Sequence, residues 1–205
     1  MEKESILKPL AKIRLFLLNV AFLKAILICL PFHSFSASQT FPISPDLSGI
    51  DLISGTRKLI HLKEAKRASV VVFLSAKCPC SANHQIALNQ LSKEFGSSGF
   101  NFIGVHSNAN EDLKFSQEYF KKSGLVFPVI QDSLAQIADQ FKAYKTPHAF
   151  VVNSKLEILF QGGVDNSRSV EKATQHYLKK ALMAIQNGQE PDEKNVRVLG
   201  CEIKR

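Results

Sequence analysis

The amino-acid sequence predicts an α/β domain with a mostly parallel central sheet, an antiparallel terminal hairpin and helices on both faces. Apolar runs of strand length alternate along the chain with segments whose apolar residues recur at helical spacing, as in βαβ units. The first run, at 69–75, is apolar at successive positions, which is typical of a strand covered on both faces. The last two runs are separated by a short polar turn, which predicts the hairpin.

The first half of the domain reads as lead-in, strand, turn and helix. Residues 39–56 are rich in Ser, Pro, Asp and Gly, and this composition predicts an irregular lead-in. The strand at 69–75 is followed by the turn Cys78-Pro79-Cys80-Ser81 and by a helix that ends at Gly96. The apolar positions predicted to face the core from this helix are Ile86, Leu88, Leu91 and Phe95.

The second half continues the alternation and ends in the hairpin. In chain order we predict a strand at 100–105, an amphipathic helix at 111–123 closed by Gly124, a strand at 127–130, a helix at 133–141, strands at 149–152 and 156–160, and a helix at 167–186. The two middle helices are predicted to present to the core Leu113, Phe115, Tyr119 and Phe120 in one, and Leu134, Ile137, Ala138 and Phe141 in the other.

Composition places the chain among globular proteins. Its 205 residues, 45% hydrophobic and 21% charged, suffice for one domain with appendages. The formal net charge of +8 does not indicate nucleic acid as a partner, because the basic residues are spread along the chain. Residues 1–38 contribute +3 of it, five basic residues less two acidic ones: Lys3, Lys8, Lys12, Arg14 and Lys24 against Glu2 and Glu4.

Residues 1–38 have the three parts of a secretory signal. A basic stretch leads into apolar residues at 15–32, and small residues follow up to Ser38. Lys24 interrupts the apolar run, and a bilayer span needs about 20 apolar residues, so a permanent membrane helix is the weaker alternative. We therefore expect a signal peptide cleaved near Ser38 or, if the segment is retained, a signal anchor. Either way the protein is expected to be periplasmic or otherwise exported, and a retained segment would anchor it to the membrane. Cleavage would remove Cys29 and leave three cysteines in a compartment that permits disulfides.

Cys78 is placed to be a reactive thiol. It follows a predicted strand and leads directly into a helix, so it meets the unpaired backbone N–H groups and the positive end of the helix dipole. This environment favours the thiolate, which is the nucleophilic form. In α/β sheets, chemistry gathers where strands end and helices begin. The alternative is a buried, inert cysteine.

Cys80 is less well placed to pair with Cys78. If Pro79 is the first helical residue, Cys80 falls in the first turn, and side chains two residues apart on a helix do not face one another. Ser81 is the residue that shares a face with Cys78. A Cys78–Cys80 disulfide would require opening the turn and would be easily reduced.

Three segments of the chain carry a family resemblance: VVVFLSxxCPxS at 70–81, KTPHAFVV at 145–152 and FQGG at 160–163. Together they resemble the thioredoxin-like superfamily, most closely its exported redoxin and thiol:disulfide oxidoreductase (AhpC/TSA-like) branch. The resemblance covers about residues 45–187, and GCEIK at 200–204 is similar to the end of some bacterial redoxin-domain proteins. It implies a thioredoxin-like fold for a domain at 39–187, Cys78 as nucleophile, a cis Thr146-Pro147 bond, and Thr146 and Pro147 as the substrate-binding loop.

The chain departs from the thioredoxin pattern at the second cysteine. Ser81 stands at that position, and the tryptophan that usually precedes the first cysteine is absent because the chain has none. We therefore expect a monothiol mechanism or one resolved by another cysteine. Cys201 is the candidate resolver, since the polar break at 188–192 lets a tail at 188–205 fold back. The alternatives are a static Cys80–Cys201 disulfide and a free terminal thiol.

A thiol peroxidase is the nearest alternative function. Ser75 lies three residues before Cys78, as the hydroxyl residue does in peroxiredoxins. That family also has a proline where this chain has Val71, and an arginine that polarises the peroxide. Between Arg67 and Arg168 the sequence contains no arginine, so Arg168 is the residue that would have to reach Cys78.

A copper-binding chaperone is the alternative from a different class. Cys78 and Cys80 are soft ligands suited to Cu(I), and His84 and His148 could complete a site. Copper chaperones of this superfamily have a longer Cys-x-x-x-Cys spacing and a histidine from a separate loop.

The expected activity is thiol–disulfide exchange by the Cys78 thiolate, with Cys80, Cys201 or an external thiol resolving the mixed disulfide. The expected partners are disulfide-containing or thiol proteins or small thiols, together with an electron donor. No organic cofactor is expected, because the sequence has no Gly-rich phosphate loop. Asp132 and Asp165 precede predicted helices and are interpreted as helix caps.

Overall fold

The computed structural model describes residues 42–205, and the predicted leader at 1–38, with Cys29, lies outside the described residues. The strands are β1 (Asp46–Ile50), β2 (Arg57–His61), β3 (Ala68–Phe73), β4 (Phe100–His106), β5 (Val129–Gln131), β6 (Lys145–Thr146), β7 (His148–Val152), β8 (Ile158–Gly162) and β9 (Cys201–Glu202). The α-helices are α1 (Pro79–Gly96), α2 (Leu113–Lys122), α3 (Gln136–Phe141) and α4 (Tyr177–Gln186).

The central sheet has five strands in the order β5-β4-β3-β7-β8. β4 pairs in parallel with β3 and with β5, whereas β7 is antiparallel to both β3 and β8. Four strands of this sheet therefore run in one direction and β7 runs in the other. This confirms the predicted mostly parallel sheet that ends in an antiparallel hairpin.

Helices cover both faces of the sheet, as predicted. On one face α1, α2 and α4 bury Phe95, Phe120 and Leu182 against the strands. On the other face α3 buries Phe141, with Ile203 of the C-terminal segment beside it in the same cluster. Among residues 42–205, no helix is both long and apolar enough to span a bilayer.

The predicted irregular lead-in is wrong for part of its length. Asp46–Ile50 forms β1 and pairs antiparallel with β2, which was not predicted either. Gly49 lets β1 approach β5, because a Cβ atom there would lie 2.5 Å from the carbonyl oxygen of Gln131. The sequence did not predict this strand because its residues are mostly polar or small, and Leu47 is its one fully buried side chain.

The last helix is shorter than predicted. Val170–Lys172 forms a 3-10 turn, and the α-helix begins only at Tyr177. The side-chain oxygen of Asn166 accepts hydrogen bonds from the backbone N–H groups of Thr174 and Gln175, which holds this segment as a loop. Four apolar residues predicted to face the core are instead exposed: Ile86 at 73%, Leu134 at 76%, Leu113 at 40% and Phe115 at 43%.

Candidate active site

Cys78 is the N-cap residue of α1, and Pro79 occupies the start of the helix as predicted. The strand β3 ends five residues earlier at Phe73, so the loop between strand and helix carries the thiol to the sheet's carboxyl edge. The Cys78 carbonyl accepts the first helical hydrogen bond, from the N–H of Ala82 at 3.1 Å. The Cys78 side chain is buried, with 2% of its surface exposed.

The Cys78 sulfur has two close neighbours. Its thiol lies 3.2 Å from the Thr146 carbonyl oxygen, and its Sγ lies 2.7 Å from the Sγ of Cys201. The Thr146-Pro147 peptide bond is cis, as the family resemblance implied. The structure therefore brings together Cys78, the Thr146-Pro147 loop and the cysteine of the C-terminal tail.

A small antiparallel ladder holds the tail against this loop. β9 pairs with β6, with Cys201 opposite Thr146 and Glu202 opposite Lys145. The main chain of Gly200 passes so close to Thr146 that a Cβ atom would lie 2.0 Å from the Thr146 carbonyl oxygen. This register directs the Cys201 side chain to the sulfur of Cys78.

Contacts on either side of Cys201 anchor the tail to the domain. Upstream, the N–H of Gln161 donates to the Lys194 carbonyl at 2.8 Å. Downstream, the N–H of Ala109 donates to the Lys204 carbonyl at 2.7 Å, and the Arg205 guanidinium bonds Asp139 at 2.7 Å. Val198 is buried as well, so the tail lies against the domain along its length.

The three thiols differ in their tendency to ionise. Burial raises the pKa of Cys78, but hydrogen bonds with Cys201 and Thr146 outweigh it and lower the pKa to about 7. Burial and the neighbouring Cys78 raise the pKa of Cys201 to about 12, and the same two causes raise the pKa of Cys80. Cys78 is therefore the thiol of the cluster that ionises most readily.

We expect alkylation of the reduced protein by iodoacetamide to depend on pH through Cys78. Since the pKa of Cys78 is lowered to about 7, its thiolate fraction and its reaction rate rise as the pH increases through 7. Cys80 and Cys201 should react only at more alkaline pH. The measurement is mass spectrometry of labelled peptides between pH 5 and 10, and equal rates for Cys78 and Cys201 at pH 7 would contradict it.

Ser81 supports the loop through its hydroxyl group. Its Oγ accepts a hydrogen bond from the N–H of Ser75 at 3.2 Å, and its backbone is one of the groups that lower the pKa of Cys78. Cys80 directly precedes Ser81 in the chain and is buried, with 7% of its surface exposed. The structure thus places both residues at the Cys78 turn.

A buried polar network beneath the turn was not anticipated. Glu111 Oε1 accepts the Ser75 hydroxyl at 2.5 Å, while Oε2 accepts the N–H of Ala76 at 2.8 Å and lies 3.0 Å from His106 Nε2. Burial raises the pKa of Glu111, but hydrogen bonds from His106 and Ser75 outweigh it and lower the pKa. Ser75 Oγ in turn accepts the N–H of Cys78 at 3.0 Å, which ties the network to the reactive residue.

Glu111→Gln is expected to destabilise the fold by about 3 kcal/mol, because an amide group then meets donors that only a carboxylate satisfies. Urea unfolding of the variant and the parent measures this. Asp112→Asn is the matched control: Asp112 is an exposed cap of α2, and asparagine caps equally well. A loss below 1 kcal/mol for Glu111→Gln would show that the network does not hold the turn.

His84 and Asp165 form a second buried pair. His84 Nδ1 lies 2.7 Å from the Cys80 carbonyl oxygen, and Nε2 lies 3.0 Å from Asp165 Oδ2. Burial lowers the pKa of His84, but the hydrogen bond to Asp165 outweighs it and the net shift is upward. Asp165 therefore does not cap α4 as predicted. Asp132 does accept the N–H of Ala138 in the first turn of α3 at 3.0 Å, although it lies upstream of the cap position.

The structure does not bring His84 or His148 into the group of sulfur atoms that the alternative metal site predicted from the sequence would require. Within residues 42–205, the group of possible metal ligands that includes Cys78 and Cys80 is completed by Cys201, not by His84 or His148. Both nitrogens of His84 are engaged as described above. The His148 ring lies 4.3 Å from the Phe150 ring, centre to centre, and burial lowers the pKa of His148 to about 4.

A strand, a cysteine at a helix start and a cis-proline loop beside it define a thioredoxin-like redox protein. The chain belongs to the AhpC/TSA family, whose model matches residues 44–161. This family consists of redox enzymes, both oxidoreductases and peroxidases. No curated protein sequence matches the chain.

Solved structures share this fold. A conserved uncharacterised protein from Geobacillus kaustophilus is 26% identical with a TM-score of 0.70, covering 82% of this chain and 94% of that one. Peroxidoxin BcpB from Mycobacterium tuberculosis is 16% identical with a TM-score of 0.54, covering 72% and 96%. StoA from Bacillus subtilis is 19% identical with a TM-score of 0.50, covering 58% and 89%. At these identities the last two show the shared fold.

Proposed function

We propose that the protein is a thiol:disulfide oxidoreductase whose redox couple is Cys78 and Cys201. The carrying observation is the 2.7 Å contact between their sulfur atoms, held in register by the pairing of β6 with β9. A disulfide bond is about 2.05 Å long, so a small movement of the tail would suffice to form it.

The reaction follows from the difference between the two thiols. The Cys78 thiolate attacks one sulfur of a substrate disulfide, forming a mixed disulfide and releasing the other sulfur as a thiolate. The Cys201 thiol then gives up its proton and attacks the Cys78 sulfur, which releases the second substrate thiol. The substrate gains two electrons, the chain gains a Cys78–Cys201 disulfide, and an external thiol donor returns it to the dithiol.

Thr146 and Pro147 are the proposed substrate-binding loop. β9 pairs with β6 at this loop, so a polypeptide that bonds the same edge has to displace residues 200–202. Proteins or small thiols that carry disulfides are the proposed partners, together with an electron donor.

The hydrogen bonds of Ser75 support disulfide exchange over peroxide reduction. Its hydroxyl proton is donated to Glu111 and its oxygen accepts the N–H of Cys78, so the group that would contact a peroxide is already engaged. The pKa of Cys80 is raised by burial and by the neighbouring Cys78, and the charge of Arg168 offsets only part of that rise. Peroxidase activity is accordingly the second candidate.

The experiment compares the two reactions in one preparation. Reduced protein is offered either insulin, as a disulfide substrate, or hydrogen peroxide, and thiol loss is followed under identical conditions. We expect second-order oxidation by the disulfide substrate to exceed oxidation by peroxide at least tenfold. Faster oxidation by peroxide would replace the proposal with the peroxidase.

We also propose that the protein is exported, because residues 1–38 combine basic, apolar and small-residue segments in the order of a secretory signal. Cys78 and Cys201 would then work where disulfides persist. The intact mass of the protein isolated from its native cell measures this. An intact mass that matches a chain beginning near residue 39 indicates cleavage. A full-length chain found in the cytoplasm would contradict export.

A further inference from the structure

The sulfur atoms of Cys78, Cys80 and Cys201 form a compact cluster. All three lie within 4.8 Å of one another, although Cys201 comes from a segment 121 residues beyond Cys80 in the sequence. The proposed redox couple uses two of these thiols. Cys80 is buried beside them but takes no part in that reaction. We therefore asked what chemistry would use all three sulfurs.

We propose that the reduced protein binds one Cu(I) ion through the sulfurs of Cys78, Cys80 and Cys201. Thiolate is the ligand that selects soft cations such as Cu(I). A metal–sulfur distance of about 2.3 Å places three sulfurs in a plane about 4 Å from one another. The three sulfurs already lie within 4.8 Å of one another, and the Cys78–Cys201 pair, now at 2.7 Å, has to open by about 1.3 Å to reach that separation.

The tail makes this opening possible without moving the domain. Cys78 and Cys80 are fixed by α1 and are buried, whereas Cys201 is exposed on a two-stranded ladder. Because contacts on both sides of Cys201 hold the tail against the domain, the opening comes from rotation of the Cys201 side chain, which moves its sulfur alone. Two of the three proposed ligands are therefore fixed by the domain, and the third can change its position.

The number of ligands distinguishes Cu(I) from zinc. Structural zinc sites take four protein ligands, and Cu(I) is satisfied by fewer soft ones. In the described part of the chain no histidine, aspartate or glutamate joins the three sulfurs. His84 is unavailable as a fourth ligand, because its two ring nitrogens contact the Cys80 carbonyl and Asp165.

Binding and disulfide chemistry exclude one another. Cu(I) displaces the thiol protons it meets and no electrons move, so the metal binds the reduced protein. A Cys78–Cys201 disulfide removes two of the three ligands and would release the ion. Bound Cu(I) conversely occupies the sulfur of Cys78 and prevents its attack on substrates.

The test is an anaerobic titration of the reduced full chain with Cu(I), in competition with bathocuproine disulfonate. A Cys29→Ser background removes the remaining cysteine of the chain. We expect one Cu(I) per chain, with affinity lowered at least about tenfold by Cys80→Ser and by Cys201→Ser. His148→Phe is the matched control and should bind as the parent does, because its ring packs against Phe150 outside the sulfur cluster.

Two outcomes of the Cu(I) titration itself would overturn the proposal. One is binding of less than one fifth of an equivalent of Cu(I), and the other is unchanged affinity in Cys80→Ser. X-ray absorption of the loaded parent provides a reading that does not depend on any variant: we expect three sulfur ligands and no nitrogen. Displacement of Cu(I) by an equal concentration of Zn(II) would also contradict it. Disulfide exchange is measured separately without copper, so failure of one proposal does not decide the other.

Discussion

Cys78→Ser is expected to reduce thiol–disulfide exchange by a factor on the order of a thousand or more, because a serine hydroxyl does not ionise near neutral pH and forms no disulfide. Cys78 carries the lowered pKa of the cluster and sits against the Thr146-Pro147 loop. The measurement is the rate of insulin reduction with dithiothreitol as donor.

Three further cysteine variants serve as comparisons for Cys78→Ser. Cys29→Ser lies in the predicted leader and should leave the rate unchanged, and Cys80→Ser should lower it by less than tenfold. Cys201→Ser keeps the first attack but lacks the resolving thiol, so a mixed disulfide at Cys78 should accumulate and be visible by mass. Retention of more than a tenth of the activity in Cys78→Ser would remove Cys78 from the mechanism.

Gly200→Val is expected to slow formation of the Cys78–Cys201 disulfide at least about a hundredfold. A Cβ atom at residue 200 would lie 2.0 Å from the carbonyl oxygen and 2.8 Å from the carbonyl carbon of Thr146. Both are main-chain atoms of the cis-proline loop, so the clash is relieved only if the tail leaves. Cys201 then meets Cys78 as the end of a flexible segment, and the advantage of an oriented pair is lost.

The rate is measured by thiol labelling after transfer to a fixed glutathione buffer. Gly96→Ala is the matched control, since no atom lies within 4 Å of a Cβ at that helical position. We expect Gly96→Ala to oxidise as the parent does. Equal rates for Gly200→Val and the parent would show that the β6–β9 ladder does not position Cys201.

The local part of the site could be predicted from the sequence. The sequence predicts a strand from its run of valines and a helix start from Pro79. The cysteine directly before that proline is then expected at the N-cap. Cys78 at the N-cap of α1 follows from that order. The cis Thr146-Pro147 bond came instead from the family resemblance, because local sequence favours the trans isomer.

The long-range part could not be predicted to the same extent. Cys201 was a candidate resolver, but nothing in the sequence specifies that Gly200 allows β9 to lie against Thr146. Glu111 gave no signal, because a single acid before a helix is most often a cap or a surface residue. Its role appears only when β4 and the loop after it bring it beneath Ser75 and His106.

His84 and Asp165 show the same limit. Each had a plausible local role, as a metal ligand near Cys80 and as a helix cap. They lie 81 residues apart in sequence and bond each other across a buried contact of 3.0 Å. Tertiary pairing between distant polar residues leaves no periodic pattern, so the cap predicted for Asp165 was wrong, and the contacts that engage both ring nitrogens of His84 could not be foreseen.

The central claim is that Cys78 and Cys201 are the redox couple and that Cys80 is not part of it. The most direct measurement is mass spectrometry of peptides from the oxidised, non-reduced protein after alkylation of free thiols. We predict that Cys78 and Cys201 are joined and that Cys80 is alkylated. A disulfide between Cys78 and Cys80, or between Cys80 and Cys201, would contradict the account.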